Sequence, residues 1–149
     1  MKSRDEVSAG GVVYRRTPTG EIEVLICKAA SYHRWVLPKG LVNKGEDLPA
    51  AALRETEEEA GAKARIVAAL EEPERYIYVA KGVRVFKSVT YFLMAYESGD
   101  EHVHDHEMEA VHWTPIDEAI DLLAYDGAKK IVRRAKAMLE TLADPSEAE

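Results

Sequence analysis

The segment "LRETEEEAGA", residues 53–62, carries four glutamates within five positions of a predicted helix. Like charges three or four residues apart on a helix repel each other, and each such pair costs about 0.2–0.5 kcal/mol. The glutamates also lie near the C-terminal end of the helix, where the macrodipole disfavours anions. The predicted helix has Asp47 as its N-cap, Pro49 in its first turn and Gly61 at its end. Any fold that contains this helix must compensate its concentrated negative charge.

A helical wheel separates the four glutamates into two groups. At about 100° per residue, Glu55, Glu58 and Glu59 fall within one sector, whereas Glu57 points to solvent. Two interpretations fit the acidic sector: a solvated helix face, or a site for hard divalent cations, which take carboxylate oxygens as ligands. A bound cation would remove the repulsion. The adjoining sector is the predicted buried stripe, formed by Pro49, Ala52, Leu53, Thr56 and Ala60.

The loop before the helix extends the pattern. Together they read "GLVNKGEDLPAAALRETEEEAGA", residues 40–62, which fits G-x5-E-x7-R-E-U-x-E-E-x-G-U, where U is a bulky aliphatic residue. This pattern is the signature of the Nudix hydrolases, and the chain resembles that family at every charged and glycine position. Thr56 and Ala62 depart from it at the two aliphatic positions, away from the charged groups. The matching residues are Gly40, Glu46, Arg54, Glu55, Glu58, Glu59 and Gly61.

The resemblance implies a loop–helix–loop that binds Mg²⁺ or Mn²⁺, with the metals holding a substrate diphosphate. Transferred to this chain, the principal metal ligands would be Glu55, Glu58 and Glu59, and the carbonyl of Gly40 would contribute another. The same resemblance implies that Glu46 and Arg54 form a supporting ion pair that orients the helix glutamates.

The implied reaction is attack of water on a phosphorus atom within a phosphoanhydride. Bound metals lower the pKa of water and neutralise the diphosphate, and a carboxylate must accept the proton. Glu55 is one candidate for that base, and a glutamate of the later loop "HDHEMEAVHW" is the other. In that loop Glu107 is expected to be better placed than Glu109, although a solvated loop carboxylate is an alternative interpretation. No site is assigned to the histidines of this region, His102, His104 and His106.

Residues outside the signature indicate the substrate. Lys39, directly before the signature glycine, resembles dinucleoside polyphosphate and diphosphoinositol polyphosphate hydrolases, whereas MutT-type nucleoside triphosphatases more often carry Gly-Gly-Lys there. The stretches "RETEEEAG" and "VTYFLM" resemble the diadenosine polyphosphate branch. The expected substrate is therefore a diadenosine polyphosphate, with a nucleoside triphosphate, ADP-ribose or diphosphoinositol polyphosphate as alternatives. A non-catalytic Nudix-fold nucleotide-binding module and a Ca²⁺-stabilised structural domain are the non-enzymatic alternatives.

Several cations could meet a long polyphosphate. Lys39 and Lys44 flank the signature loop, and Lys87 lies on a strand face that is otherwise apolar. Arg34 and Arg75 are further candidate contacts, as are His33 and Arg84. The aromatic candidates for stacking on a nucleobase, each of which could also belong to the core, are Tyr76, Tyr32, Trp35 and Tyr78.

The order of elements along the rest of the chain is also similar to the Nudix fold, which implies an α/β architecture with a mixed β-sheet between α-helices. Short apolar segments between turn-rich stretches predict the strands. The segment 31–47 has no regular period and is predicted to be mostly loop. The predicted strands span residues 7–16, 21–29, 62–72, 75–80, 82–97 and 111–113.

Two further helices are predicted towards the C-terminus. Thr114, followed by Pro115 and Asp117, marks the start of the first. After a break at Asp126-Gly127, apolar residues recur at helical spacing and predict the second. Those residues are Ile131, Ala135, Met138 and Leu142.

Composition sets the remaining limits. A length of 149 residues suits one domain, of which residues 143–149 are predicted to be a frayed tail. The net charge of −7 argues against a general nucleic-acid-binding surface. A single cysteine, Cys27, excludes an internal disulfide and fits a reducing compartment. With neither a signal segment nor an apolar run of roughly 18 residues, a cytoplasmic protein without a membrane partner is expected, as a monomer or a homodimer.

Overall fold

The computed structural model describes residues 1–142, apart from the side chain of Glu71; the predicted frayed tail lies outside this range. Within the described residues the chain forms seven strands and three helices. They are β1 (Lys2–Arg16), β2 (Ile22–Ala29), β3 (Trp35–Val36), β4 (Lys39–Leu41), α1 (Leu48–Ala60), β5 (Ala62–Ala80), β6 (Val83–Gly99), β7 (Met108–Pro115), α2 (Ile116–Leu122) and α3 (Asp126–Thr141).

The strands form one mixed sheet with the order β3-β2-β1-β6-β5. Strand β1 pairs in parallel with β6 along most of its length and antiparallel with β2 and β4. Strand β7 pairs with β2. The parallel β1–β6 pair requires a long crossover, and the chain segment that makes this crossover contains β4 and α1. The sheet therefore places the predicted signature segment against its central strand, β1.

Helices cover both faces of the sheet. On one face α1 contributes its small side chains, including Ala51, to a buried cluster that contains Met94 of β6. On the other face α2 and α3 form a second cluster, in which Ile131 and Leu139 join Leu93 of β6. The predicted α/β architecture, a mixed sheet between helices, is confirmed.

The predicted limits of α1 are also confirmed. The side chain of Asp47 accepts a hydrogen bond from the backbone N–H of Ala50 at 2.8 Å, as an N-cap does. Gly61 has φ of 71°, a left-handed conformation that glycine adopts without steric cost, and its N–H donates to the Glu57 carbonyl at 2.9 Å.

Tertiary pairing changes the other predicted boundaries. The two strands predicted at 62–72 and 75–80 are one strand, β5, with an irregularity between Leu70 and Glu74. Short β3 and β4 occur inside the segment predicted to be loop, because the edges of β1 and β2 offer them backbone partners.

The predicted helix starts near the C-terminus are each displaced. Thr114 does not cap α2, because it pairs with Val24 in the sheet; the helix follows Pro115 instead. Helix α3 begins at Asp126, so Asp126-Gly127 forms its first turn rather than a break before it.

Thr56 lies fully buried on the sheet-facing side of α1, at one of the positions where the signature has an aliphatic residue. Among the residues that the structure describes, its hydroxyl has no hydrogen-bond partner. An unsatisfied buried polar group costs about 1–3 kcal/mol. We therefore expect Thr56→Val, which keeps the shape and removes the hydroxyl, to raise the free energy of unfolding by about 1 kcal/mol in chemical denaturation.

Thr114→Val is the matched control, because the buried Thr114 hydroxyl donates to the His112 carbonyl at 3.4 Å and its removal gains nothing. A loss of stability in Thr56→Val would contradict the expectation.

Candidate active site

The backbone of β4 lies directly against the acidic face of α1. A Cβ at Gly40 would overlap the Glu55 carboxylate, so glycine at this position lets the carboxylate lie against the backbone. One residue earlier, the backbone N–H of Lys39 donates to Glu59 Oε1 at 2.8 Å. Because β4 is paired with β1 in the sheet, it offers Glu59 a fixed donor and lies in contact with Glu55.

Arg54 links the loop to the same glutamates. Its guanidinium makes a two-pronged ion pair with Glu46, with Nε to Oε2 at 2.8 Å and Nη2 to Oε1 at 2.9 Å. Nη1 donates to Glu55 Oε1 at 2.7 Å and lies 3.3 Å from a Glu58 oxygen. Nη2 also donates to the carbonyl of Leu41 at 3.0 Å. The expected Glu46–Arg54 ion pair is thus present, and it extends to Glu55 and Glu58.

The charges on these carboxylates differ with their surroundings. The hydrogen bonds from Arg54 and from the Asn43 backbone lower the pKa of Glu46 to about 2. Glu59 is only 5% exposed, and burial raises its pKa to about 8, against the opposing hydrogen bond from Lys39. Burial also raises the pKa of Glu55, despite Arg54. The described residues therefore stabilise the charged form of Glu46, whereas burial disfavours the charged forms of Glu55 and Glu59.

Glu107 joins this group from the loop before β7. Its carboxyl group is hydrogen-bonded with that of Glu59 and further raises the pKa of Glu59. The loop is tied to the end of α1, because the backbone N–H of Asp105 donates to the carbonyl of Glu58 at 3.0 Å. Glu109 is instead hydrogen-bonded to the ring of His33. Glu55, Glu58 and Glu59 are called the acidic cluster below. Of the two loop glutamates, the structure brings Glu107 to this cluster.

A cavity of about 600 Å³ opens beside Glu59 and Glu107. A second cavity, of about 590 Å³, adjoins it, and Lys39 is among the four residues that line both. Burial lowers the pKa of Lys39, with the charge of Lys87 adding to the effect. The second cavity is called the tyrosine cavity below, after four of its lining residues, Tyr32, Tyr76, Tyr91 and Tyr125.

The other predicted substrate contacts lie at different distances from this site. Arg75 and Tyr76 line the tyrosine cavity, whereas its lining includes neither Arg34 nor Lys44, which are exposed. Lys87 Nζ lies 3.3 Å from Glu6 Oε1 and lines a neighbouring groove with Arg75 and Tyr76.

Two of the aromatic candidates for nucleobase stacking have other partners. Trp35 contacts the ring of His112. Tyr78 donates to Glu6 at 2.8 Å.

The predicted histidine-rich loop is largely exposed. Asp100, Glu101 and His102 bring potential ligand atoms within 4.8 Å of one another, and His102 Nδ1 is hydrogen-bonded to Asp100 at 2.9 Å. His104 contacts the carbonyl of Asp105, and His106 lines the first cavity. These contacts are typical of a surface loop.

Sequence reasoning did not identify three residues of the tyrosine cavity, Glu74, Tyr91 and Tyr125. Tyr91 alternates with apolar core residues of β6, and Tyr125 is the residue before α3. Tyr91 lies within the stretch "VTYFLM", but that stretch does not indicate a contact with Tyr125, because the sheet and α3 bring the two together from distant parts of the chain. For Glu74 the available signal was its position in "EEPER", where a proline and charged residues interrupt an apolar strand.

Comparisons with known proteins show which chains this one is similar to. The chain is 37% identical over 136 residues to the asymmetrical bis(5'-nucleosyl)-tetraphosphatase of Caenorhabditis elegans, covering 89% of this chain and 96% of that protein. It is 34% identical over 143 residues to the 8-oxo-(d)GTP phosphatase of Mycolicibacterium smegmatis, covering 89% of this chain. The chain spans 42% of the length of that phosphatase and 59% of a relative from Mycobacterium tuberculosis.

The fold agrees as well. A crystal structure of a C. elegans Ap4A hydrolase binary complex superimposes with a TM-score of 0.74 and 33% identity, covering 92% of this chain and 99% of that one.

No helix among residues 1–142 is both long and apolar enough to span a membrane. The family model described as the NUDIX domain matches residues 5–135. With its signature residues gathered at one site, the chain belongs to the Nudix hydrolase family.

Proposed function

We propose that this chain hydrolyses a phosphoanhydride bond of a dinucleoside polyphosphate, with a diadenosine polyphosphate as the preferred substrate. The observation that carries the proposal is the adjacency of two cavities: the cavity beside Glu59 and Glu107 and the tyrosine cavity share part of their lining, including Lys39. One substrate could therefore present a diphosphate to the glutamates and a nucleobase to the tyrosines. The similarity to the C. elegans tetraphosphatase supports the choice of substrate.

The residues of the acidic cluster fit a hard divalent cation. Their donors are oxygens only, the carboxylates of Glu55, Glu58 and Glu59 with the carbonyl of Gly40, which suits Mg²⁺ or Mn²⁺. The raised pKa values of Glu55 and Glu59 support this assignment, because a cation would stabilise their charged forms. When bound, the cation would neutralise the diphosphate and lower the pKa of the attacking water.

The surrounding side chains take supporting roles in this proposal. Glu46 holds the guanidinium of Arg54, which in turn positions Glu55 and Glu58. Glu107 is the preferred proton acceptor, because it lines the cavity beside Glu59; Glu55 is the alternative base.

Of the lysine and arginine side chains proposed to contact the substrate, one lies close to the expected path of the phosphate chain and the others lie further out. Lys39 lies where a phosphate chain would pass between the cavities, and an anion there would offset the burial of its ammonium. Lys87 is already paired with Glu6 and would have to exchange that partner for a phosphate. Lys44, Arg34 and Arg75 could meet only the outer phosphates or the second nucleoside. Tyr76, together with Tyr32 and Tyr125, would stack on a base.

We place this activity in the cytoplasm, because Cys27 is buried and free, which suits a reducing compartment. The proposed partner is a small nucleotide rather than a nucleic acid, in keeping with a net charge of −7. Either a monomer or a homodimer could carry the complete site, since all the groups named above belong to one chain.

Neutralising a metal ligand should abolish turnover and spare the fold. We expect Glu58→Gln to lower the turnover of diadenosine tetraphosphate with Mg²⁺ by at least about 100-fold, because an amide lacks the charge that a hard cation requires. In the same experiment Mg²⁺ should raise the melting temperature of the wild type more than that of the variant, since a ligand of the folded state stabilises it by mass action.

Glu57→Gln is the matched control, because Glu57 is an exposed glutamate on the same helix and the helical wheel places it outside the sector of the proposed ligands. Near-normal turnover in Glu58→Gln would contradict the assignment of Glu58 as a metal ligand. Equal Mg²⁺-induced shifts in Glu58→Gln and the wild type would show that the cation binds elsewhere.

Substrate choice should follow the length of the phosphate chain. Diadenosine polyphosphates with four or more phosphates should show a higher kcat/KM than ATP or ADP-ribose, and one product should retain several phosphates. Lys39→Gln should reduce this preference about tenfold, roughly the 1.4 kcal/mol of one charge-assisted contact.

The control here is Lys63→Gln, since Lys63 is an exposed lysine on β5 outside both cavities. A strict preference for a single nucleoside triphosphate, or for ADP-ribose, would overturn the proposed substrate and leave the family membership intact.

A further inference from the structure

Glu74 places a carboxylate in the wall of the tyrosine cavity. It lies where β5 resumes pairing after its irregularity, opposite Val89 of β6. Its side chain reaches the first turn of α3, where a Cβ at Gly127 would overlap the carboxylate. The glycine at this position therefore leaves room for Glu74 beside the tyrosines.

The surroundings of this carboxylate are unusual for the chain. Burial raises the pKa of Glu74, and the charge of Lys39 only partly opposes that effect. No hydrogen bond to its oxygens occurs within residues 1–142. By contrast, Glu6 accepts from Tyr78 and Glu72 pairs with Arg134. A partly buried carboxylate that lacks a donor and faces a cavity is a candidate acceptor for a ligand.

The first turn of α3 offers a purely structural explanation, since a helix N-terminus favours a nearby anion. That explanation predicts a general effect on stability. It predicts no dependence of ligand affinity on the chemistry of a base, and this difference makes the two roles separable.

We infer that Glu74 accepts a hydrogen bond from the exocyclic amino group of a nucleobase stacked among the tyrosines, and so selects an amino-bearing base such as adenine. The inference rests on the proposed function to the extent that the tyrosine cavity holds the base. An ionised carboxylate only accepts hydrogen bonds, so it pairs with the amino group of adenine and repels the keto oxygen of hypoxanthine. Sites built around such a hydrogen bond discriminate strongly against analogues that lack the donor.

The test compares two non-hydrolysable probes, methylene-bridged diadenosine tetraphosphate and its diinosine counterpart, by titration calorimetry with Mg²⁺. The wild type should bind the adenosine probe about 10–100-fold more tightly, the range of a hydrogen bond to a charged group. Glu74→Met should remove the preference by lowering the affinity for the adenosine probe. Glu74→Gln should remove the preference by raising the affinity for the inosine probe, because an amide can present either a donor or an acceptor.

Glu72→Gln, which changes an exposed carboxylate on the same strand, should keep the wild-type ratio. Equal affinity of the wild type for both probes would overturn the inference. An equal loss of affinity for both probes in the Glu74 variants would overturn it as well. If Glu74→Met fails to fold, Glu74→Gln decides the question alone.

Turnover of diadenosine tetraphosphate, measured in parallel, separates this inference from the proposed function. A preference for the adenosine probe without turnover would overturn the proposed hydrolysis and support the role of Glu74. Turnover without a preference between the probes would support the proposed hydrolysis and overturn the role of Glu74. If the protein binds neither probe and shows no turnover, both the proposed function and the role of Glu74 are overturned.

Discussion

The guanidinium of Arg54 joins the two segments of chain that carry the charges of the site. It pairs with Glu46 in the loop and reaches Glu55 and Glu58 on α1, all through hydrogen bonds or ion pairs of 2.7–3.3 Å. Arginine suits this position because its planar fork can bind several oxygens at fixed angles and it keeps its charge. Without it, these three carboxylates would approach one another with no cationic side chain among their described contacts. The position of the loop and the direction of the glutamates therefore depend on one side chain.

Arg54 compensates only part of the negative charge. Glu59 lies beyond its reach, is buried, and shares a hydrogen bond with Glu107, which is why its pKa is raised to about 8. Two carboxyl groups this close cannot both ionise without a strong penalty. Such an arrangement lowers the stability of the cation-free protein in exchange for a site with high demand for positive charge, a common relation between stability and function.

The sequence predicted the parts of the site that depend on local spacing. Helix α1 and its caps follow from residues within one stretch of 22 positions, from Gly40 to Gly61, and the Glu46–Arg54 pair follows from the family resemblance that the same stretch carries. The partner of Lys87 could not be predicted in this way, because the parallel register of β1 and β6 sets Glu6 opposite it. The tyrosine cavity has the same origin, since β5, β6 and α3 each contribute part of its wall. Thr114 shows the opposite failure, a good local capping signal that strand pairing with β2 overrides.

The bond between Lys39 and Glu59 uses the backbone of Lys39 and leaves its side chain free. Any residue except proline at position 39 could donate the same N–H to Glu59. The side chain at this position faces the cavities, where it could change without loosening the acidic cluster. Anchoring of the glutamate and contact with the ligand are thus divided between two groups of one residue. A lineage of such proteins could acquire new ligands by substitution at position 39 while the geometry of its acidic centre stayed constant.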